Sequence, residues 1–406
     1  MRAAIRSVLF SAIQGIDLDF VRGRYASNSG YRSDFLGLPG ATYTRAGAAT
    51  AETAAGAIIN FAANVPRITD RGVLIEEART NLLLRSAEFD NAAWTKGGAT
   101  ISAGSTAAPD GSTTADTLTE DTSTGDHRTF QAASVANATV HTFSIFVKPN
   151  GRTLVTLTLA GVGDATFDVQ NGVVTSTTLG SASITSAGSG WYRCAVTFTS
   201  ATTSYNTQIR LVSTGTTTSY TGNGTSGVFL WGAQLEAGAT PSSYIPTTGA
   251  AATRAADACS SPFSIPANQD FVVFMEVSLS GASPVTQRIF EIDAGSGPNR
   301  IIIYRTSAGI FAGDIYVASV FTSAGTFSKT GARTLKVAVR RVGSSYQIFA
   351  DGVGVAAVTV ASMPTLTTMF YGQGRSAATP LNDYLRTCAL ILGTLSDAQL
   401  VALTTL

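Results

Sequence analysis

The chain has 406 residues, 44% of them hydrophobic, enough to build buried cores for two or three domains. Charged residues make up 13% and the net charge is +1, against roughly 25% charged residues in ordinary soluble domains. This excludes the basic footprint of a nucleic-acid or anionic-membrane binder. The regular recurrence of apolar residues excludes disorder.

The first stretch, residues 1–70, is rich in Gly, Ala and Arg, and its strands are short. Met1 to Phe10 carries two arginines and a brief apolar run but no cleavage pattern, so a secretory signal is not expected. No apolar run in the chain is long enough to span a bilayer. Residues 1–70 bury little alone and are expected to form a small attachment segment, ordered by a partner or by an oligomer of the chain.

Strand patterns dominate from residue 71. Phe143, Ile145 and Val147 share one face, and Val155, Leu157 and Leu159 alternate with Thr156 and Thr158. Phe167 and Val169 lead into Asn171-Gly172, a dipeptide that predicts a type I′ hairpin. Tyr192, Cys194, Val196 and Phe198 point one way. Many short strands with frequent glycine turns predict a jelly-roll sandwich over 71–247. Thr240 to Pro266, with its prolines, serines and glycine, reads as a linker.

A second sandwich is predicted over 248–406. Phe271 to Val277 is nearly all apolar and reads as a central strand. Leu335, Val337 and Val339 alternate with polar neighbours, and Asp351-Gly352 follows as a hairpin turn. At the end, Ser396 and Gln399 form a capping box, with Leu395 and Leu400 placed as a hydrophobic staple. The fold class expected is all-β: two β-sandwich (jelly-roll) domains preceded by the attachment segment.

Chemistry-bearing residues are few. Cys194, Cys259 and Cys388 are odd in number and far apart, which argues against a disulfide framework or a zinc site; buried thiols are expected. His127 and His141 adjoin no nucleophile motif and read as structural. Asp293, Asp314, Asp351 and Asp383 come under consideration as glycosidase carboxylates only because acids are scarce, and Asp351 is better explained by its turn. No catalytic residue, metal site or cofactor is assigned. Sugar binding needs less: an aromatic face to stack on a pyranose and a few polar groups for its hydroxyls. Trp94, Tyr205 and Tyr220 lie in or beside polar stretches, with Arg210 as a polar companion, and are the candidate ligand-binding residues. The competing reading packs Trp94 over one end of the sandwich and leaves the tyrosines at its rim. Trp191 and Trp231 sit on apolar strands and are expected in the core.

Two segments carry a resemblance. Residues 71–94 (RGVLIEEARTNLLLRSAEFDNAAW) and 231–247 (WGAQLEAGATPSSYIPT) resemble segments that recur in virion proteins of tailed phages and prophages. Between them, residues 108–112 (APDGS), 143–148 (FSIFVK) and 190–193 (GWYR) look like a carbohydrate-binding-module jelly roll. The C-terminal part resembles a concanavalin A or laminin-G sandwich, a class that in some members binds calcium through loop oxygens; Asp293, Asn299, Asn382 and Asp383 are the residues available here. The resemblance implies a non-enzymatic virion protein assembled in the host cytoplasm. It implies a tail fibre or receptor-binding component that contacts host surface glycans, with a capsid decoration or head fibre as the alternative. Implied partners are other virion proteins, through the N-terminal segment, and a host glycan. A homotrimer is the usual state of fibres, though no heptad run specifies one.

Overall fold

The structure is a computed structural model that describes residues 15–27, 30–279, 285–328, 333–360, 362–375 and 379–405. It is almost entirely β, as the alternating patterns require, and falls into two compact units.

One unit comprises Ala49–Asn60 and Ala78–Arg254. Its first six-stranded sheet runs in the order Thr95–Gly97, Arg128–Ser134, Ser204–Val212, Leu154–Leu159, Gly163–Asp168, Val173–Thr177. The second runs Ala99–Thr106, Ala115–Glu120, Gly227–Ala237, Val140–Asn150, Tyr192–Thr199, Ser181–Ser186. The central neighbours of both sheets are far apart in sequence, as in a jelly roll, while hairpins such as Leu154–Leu159 with Gly163–Asp168 extend the edges. The predicted faces meet in one core: Val155, Leu157, Leu159 and Phe167 from the first sheet pack with Phe143, Ile145, Val147, Cys194 and Val196 from the second.

The segments 71–94 and 231–247 fasten to each other inside this unit. The Asn81 side chain donates to the carbonyls of Ala233 (3.0 Å) and Ile245 (2.9 Å) and accepts from the amides of Leu83 and Leu235 (both 3.1 Å). All four hydrogen-bonding positions of a buried amide are thereby used. Gly232 sits in a bulge between the pairs Ser144–Gln234 and Phe146–Trp231 with φ +64°, where a Cβ would lie 3.0 Å from the Phe146 ring.

The other unit comprises residues 1–48, 61–77 and 255–406. Phe271–Leu279 is central, between Arg333–Val342 and Asp383–Leu392. Both of its faces are buried, Val273, Met275 and Val277 in the main core and Val272 and Phe274 against the C-terminal helix layer. A facing seven-stranded sheet runs Val320–Ser328, Ile310–Val317, Arg300–Arg305, Gln287–Asp293, Leu366–Tyr371, Ala258–Ile265, Thr42–Thr44. The helix Asp397–Thr404 has the expected capping box, and Leu395 and Leu400 are buried together.

Three expectations are corrected. The first concerns residues 1–70, whose first fourteen lie outside the described residues. Among those described, Gly15–Asp19 pairs with Asp383–Leu392, Thr42–Thr44 pairs with Ala258–Ile265, and Leu18, Phe20, Tyr25 and Phe35 are core. The segment is therefore part of a sandwich, because short strands gain stability by completing a sheet formed elsewhere. Residues 49–60 in turn belong to the jelly-roll unit. Secondly, the proposed linker is ordered: Tyr244, Ile245, Arg254 and Asp257 are buried. Its polar groups are paired locally, as where Glu236 accepts from the Ser242 amide (2.8 Å) and hydroxyl (2.6 Å). Finally, Asn171-Gly172 does not make a type I′ turn. Only Gly172 has positive φ, and its amide bonds back to the Asp168 carbonyl at 2.9 Å, closing a longer loop capped by the Asp168 carboxylate.

Candidate functional site

In the jelly-roll unit the two outer faces are treated differently. The outside of the second sheet carries Phe146, Trp191 and Trp231, and these are covered by Ile58 and Tyr244 from segments of the same unit. The Thr50 hydroxyl donates to the Tyr244 carbonyl at 2.7 Å and holds that cover down. Trp191 and Trp231 are thus buried, but in this second layer and not between the sheets.

The outside of the first sheet carries polar side chains and, among the described residues, no such apolar layer. Strand register sets them in rows. Arg128 stands opposite Arg210, then Thr156, then Thr166; beside this row Phe130 faces Gln208, then Thr158, then Asp164. Thr156, Thr158, Thr166 and Gln208 form a recessed floor, while Arg128, Phe130 and Arg210 are half-buried. The Thr156 and Thr166 hydroxyls pair at 2.8 Å, and the Thr158 hydroxyl is buried without a hydrogen-bond partner.

At one end of the floor the guanidiniums share acceptors. Arg128 Nη1 donates to Asp126 (3.2 Å) and to Gln208 Oε1 (3.1 Å), and Arg210 donates to the same Gln208 oxygen through Nε (3.2 Å) and Nη2 (3.1 Å). Asp126 lies 3.7 Å from Arg210 Nη1. The Arg128 guanidinium also stands 5.4 Å from the Phe130 ring centre.

The four residues proposed from sequence do not form one platform. Arg210 is on the open face. Tyr220 belongs to a neighbouring clasp, its ring 4.6 Å from His127 and 4.9 Å from the Arg152 guanidinium. Its hydroxyl donates to Glu120 at 2.7 Å. Trp94 and Tyr205 are core residues. Trp94 packs on Phe89 and its indole N–H donates to the Arg85 carbonyl at 3.0 Å. The Tyr205 hydroxyl accepts from the Ala201 and Thr202 amides at 2.6 and 3.2 Å, and its ring packs on Phe198. Phe130 and Gln208 are not singled out by sequence, since which strand positions share the outer row is set by pairing between distant strands.

The clasp has a pH consequence. Burial pushes the Glu120 carboxyl upward. Two hydrogen bonds from Arg152 (both 2.7 Å), one from Tyr220 and one from the Asn223 amide (2.9 Å) outweigh that, holding it at about 2 against an ordinary 4.5. The folded value is depressed, so this stabilisation is fully present above about pH 4.5 and is lost as pH falls toward 2. Denaturant unfolding of the parent should show a decline on the order of 2 kcal/mol over that interval that Glu120→Gln lacks. Equal declines in both proteins would remove Glu120 as its source.

Both histidines are enclosed. The His127 ring nitrogens meet the carbonyls of Gly98 and Tyr220, and His141 Nδ1 meets the Thr139 carbonyl at 3.0 Å. The three cysteines are buried.

In the other unit, the carboxylates considered for catalysis are dispersed. Asp351 occupies its hairpin turn at φ 48°, and Asp383 is buried on the sheet opposite that of Asp293 and Asp314. Asp293 is gripped by Arg375. Burial raises Asp314, with the Tyr304 hydroxyl beside it. Glu291, unremarked in the sequence, is on the same face as Asp314 with Ile302 between them, and Arg288 closes on it. Asn299 and Asn382 accept backbone amides of Ala318 (2.8 Å) and Glu77 (2.9 Å). No group of three His, Cys, Asp or Glu side chains suited to a metal occurs among the described residues.

No protein-family model matches the chain, and no curated protein matches it. Solved structures similar to part of it include the CBM40 module of a Ruminococcus gnavus IT-sialidase, at 12% identity over 35% of this chain and 96% of that one, TM-score 0.28. A SAP-like pentraxin from Limulus polyphemus is similar at 13% identity, over 35% of this chain and 72% of that one, TM-score 0.27. The NanB sialidase of Streptococcus pneumoniae is similar at 15% identity, over 34% of this chain and 26% of that one, TM-score 0.27. The likeness assigns no residue a role. The class defined by the fold is that of β-sandwich proteins.

Proposed function

We propose that the chain is a non-catalytic glycan-contacting protein of a tailed-phage particle, and that the open face of the jelly-roll unit makes the contact. The observation that carries the reading is the asymmetry of that unit. One outer face is sealed by aromatic packing, whereas the other holds two half-buried guanidiniums and a half-buried phenyl ring over a buried floor of Gln208 and threonines. A pyranose asks for this mixture, hydrogen-bonding groups around its rim and an apolar surface against its ring. The place on a virion, as a tail fibre or receptor-binding component, is supported by the two recurring phage-type motifs. The non-catalytic part is supported by Arg288 and Arg375, which neutralise Glu291 and Asp293.

A glycan array probed with the full chain tests the contact. Binding is expected, and Gln208→Ala should weaken it roughly tenfold, since it frees both guanidiniums from their shared anchor. An array without hits overturns the glycan reading. Shortening of a host polysaccharide on incubation would overturn the non-catalytic one, and absence of the protein from immunolabelled particles would overturn the virion assignment.

A further inference from the structure

We infer that the saccharide taken by this face carries a carboxylate, received at the Arg128–Arg210 end; the inference rests on the reading that the face binds saccharide. Two guanidiniums stand directly opposite each other on paired strands, an arrangement that is unfavourable for like charges unless something compensates. The compensation present is incomplete. Asp126 is the one carboxylate within salt-bridge reach of either guanidinium among the described residues, so the pair keeps a surplus positive charge. Other acids of the face lie two strands away, and Asp168 is engaged by the Gln170 and Asn171 amides and the Asn171 side chain.

The donors are also incompletely used. Arg128 bonds through Nη1 alone, and Arg210 through Nε and Nη2, with Asp126 at 3.7 Å from its Nη1. Arg128 Nη2 and Arg210 Nη1 therefore have N–H groups to give, on residues directly opposite in register. A planar carboxylate is the acceptor that matches such a fork. Gln208 already anchors both groups through one oxygen, so little ordering remains to be done when the ligand arrives. Next to them the half-buried Phe130 ring, on the row beside the arginines, offers ring contact. An uncharged sugar would leave the surplus charge unanswered.

The test uses the full chain on matched pairs of uronate-containing oligosaccharides and their carboxyl-reduced counterparts, which differ only in the charged group. The acidic member should bind roughly tenfold tighter or more, with the preference shrinking in high salt. Arg128→Gln and Arg210→Gln, checked for unchanged melting, should each bring the ratio close to one. Should one variant fail to fold, the other and the salt titration of the parent carry the test. Equal binding of acidic and reduced members overturns this inference and leaves the saccharide reading standing. Equally tight binding of polyglutamate also overturns it, since the face would then be a general anion patch. Binding of neither member, with no hit among neutral glycans, brings down both.

Discussion

Replacing Asp257 with Ala should destabilise its sandwich unit by about 3–5 kcal/mol. Asp257 is fully buried and accepts from the Tyr43 hydroxyl, Arg45 Nη1 (3.3 Å), Arg67 and the Glu76 amide (2.8 Å). Arg45 and Arg67 are themselves fully buried. Truncating the carboxylate leaves two guanidiniums in a low-dielectric interior with one shared counter-ion fewer, and such a charge costs several kcal/mol unless answered. Glu76 still meets Arg67 at 2.6 Å, and Arg45 keeps the Ala62 carbonyl at 2.6 Å, so part of the interaction survives. Thermal melting should fall by about 10 °C. Asp257→Asn, which keeps acceptor capacity and loses the charge, should fall between variant and parent. A melting temperature for Asp257→Ala within a degree or two of the parent would show that the cluster contributes little beyond its own desolvation.

The second large effect is expected at Trp94. It is 1% exposed, packs on Phe89 with ring centres 4.8 Å apart, and its indole N–H bonds to a carbonyl. Trp94→Ala removes the largest side chain of that corner of the jelly-roll core and should cost about 3–5 kcal/mol. The variant that remains folded at low temperature should bind glycan like the parent, because the open face lies on the outside of the first sheet and Trp94 does not. Loss of binding at unchanged stability would return Trp94 to the contact surface and displace the face described above. The outcome separates the two roles that a lone tryptophan in a polar stretch suggests from sequence.

Particular residues show what could be read in advance. The alternation at Val155, Leu157 and Leu159 specified one buried face, and these residues do line the core between the sheets. Phe271 to Val277 read as central because it is apolar on both parities, and both faces of that strand are covered. The capping box at Ser396 was legible because its partners are three residues apart. By contrast, nothing near Asp19 announces that its partner is Thr387, and nothing near Tyr43 announces Asp257. The candidate site was hidden in the same way. Arg210 was noticed, but its neighbours Arg128, Gln208 and Thr156 become a surface only through the pairing of three strands.

Sequence by itself determined the all-β class, the faces of the strongest strands and the C-terminal helix cap, since each depends on side chains a few positions apart and on the two-residue period of a strand. Tertiary structure decided which strands became neighbours, which outer face was sealed, and that the early residues belong to the last sandwich. The backbone hydrogen bonds that join strands are the same for every sequence. The choice among partners is made by side-chain packing between residues hundreds of positions apart, and no local pattern records it.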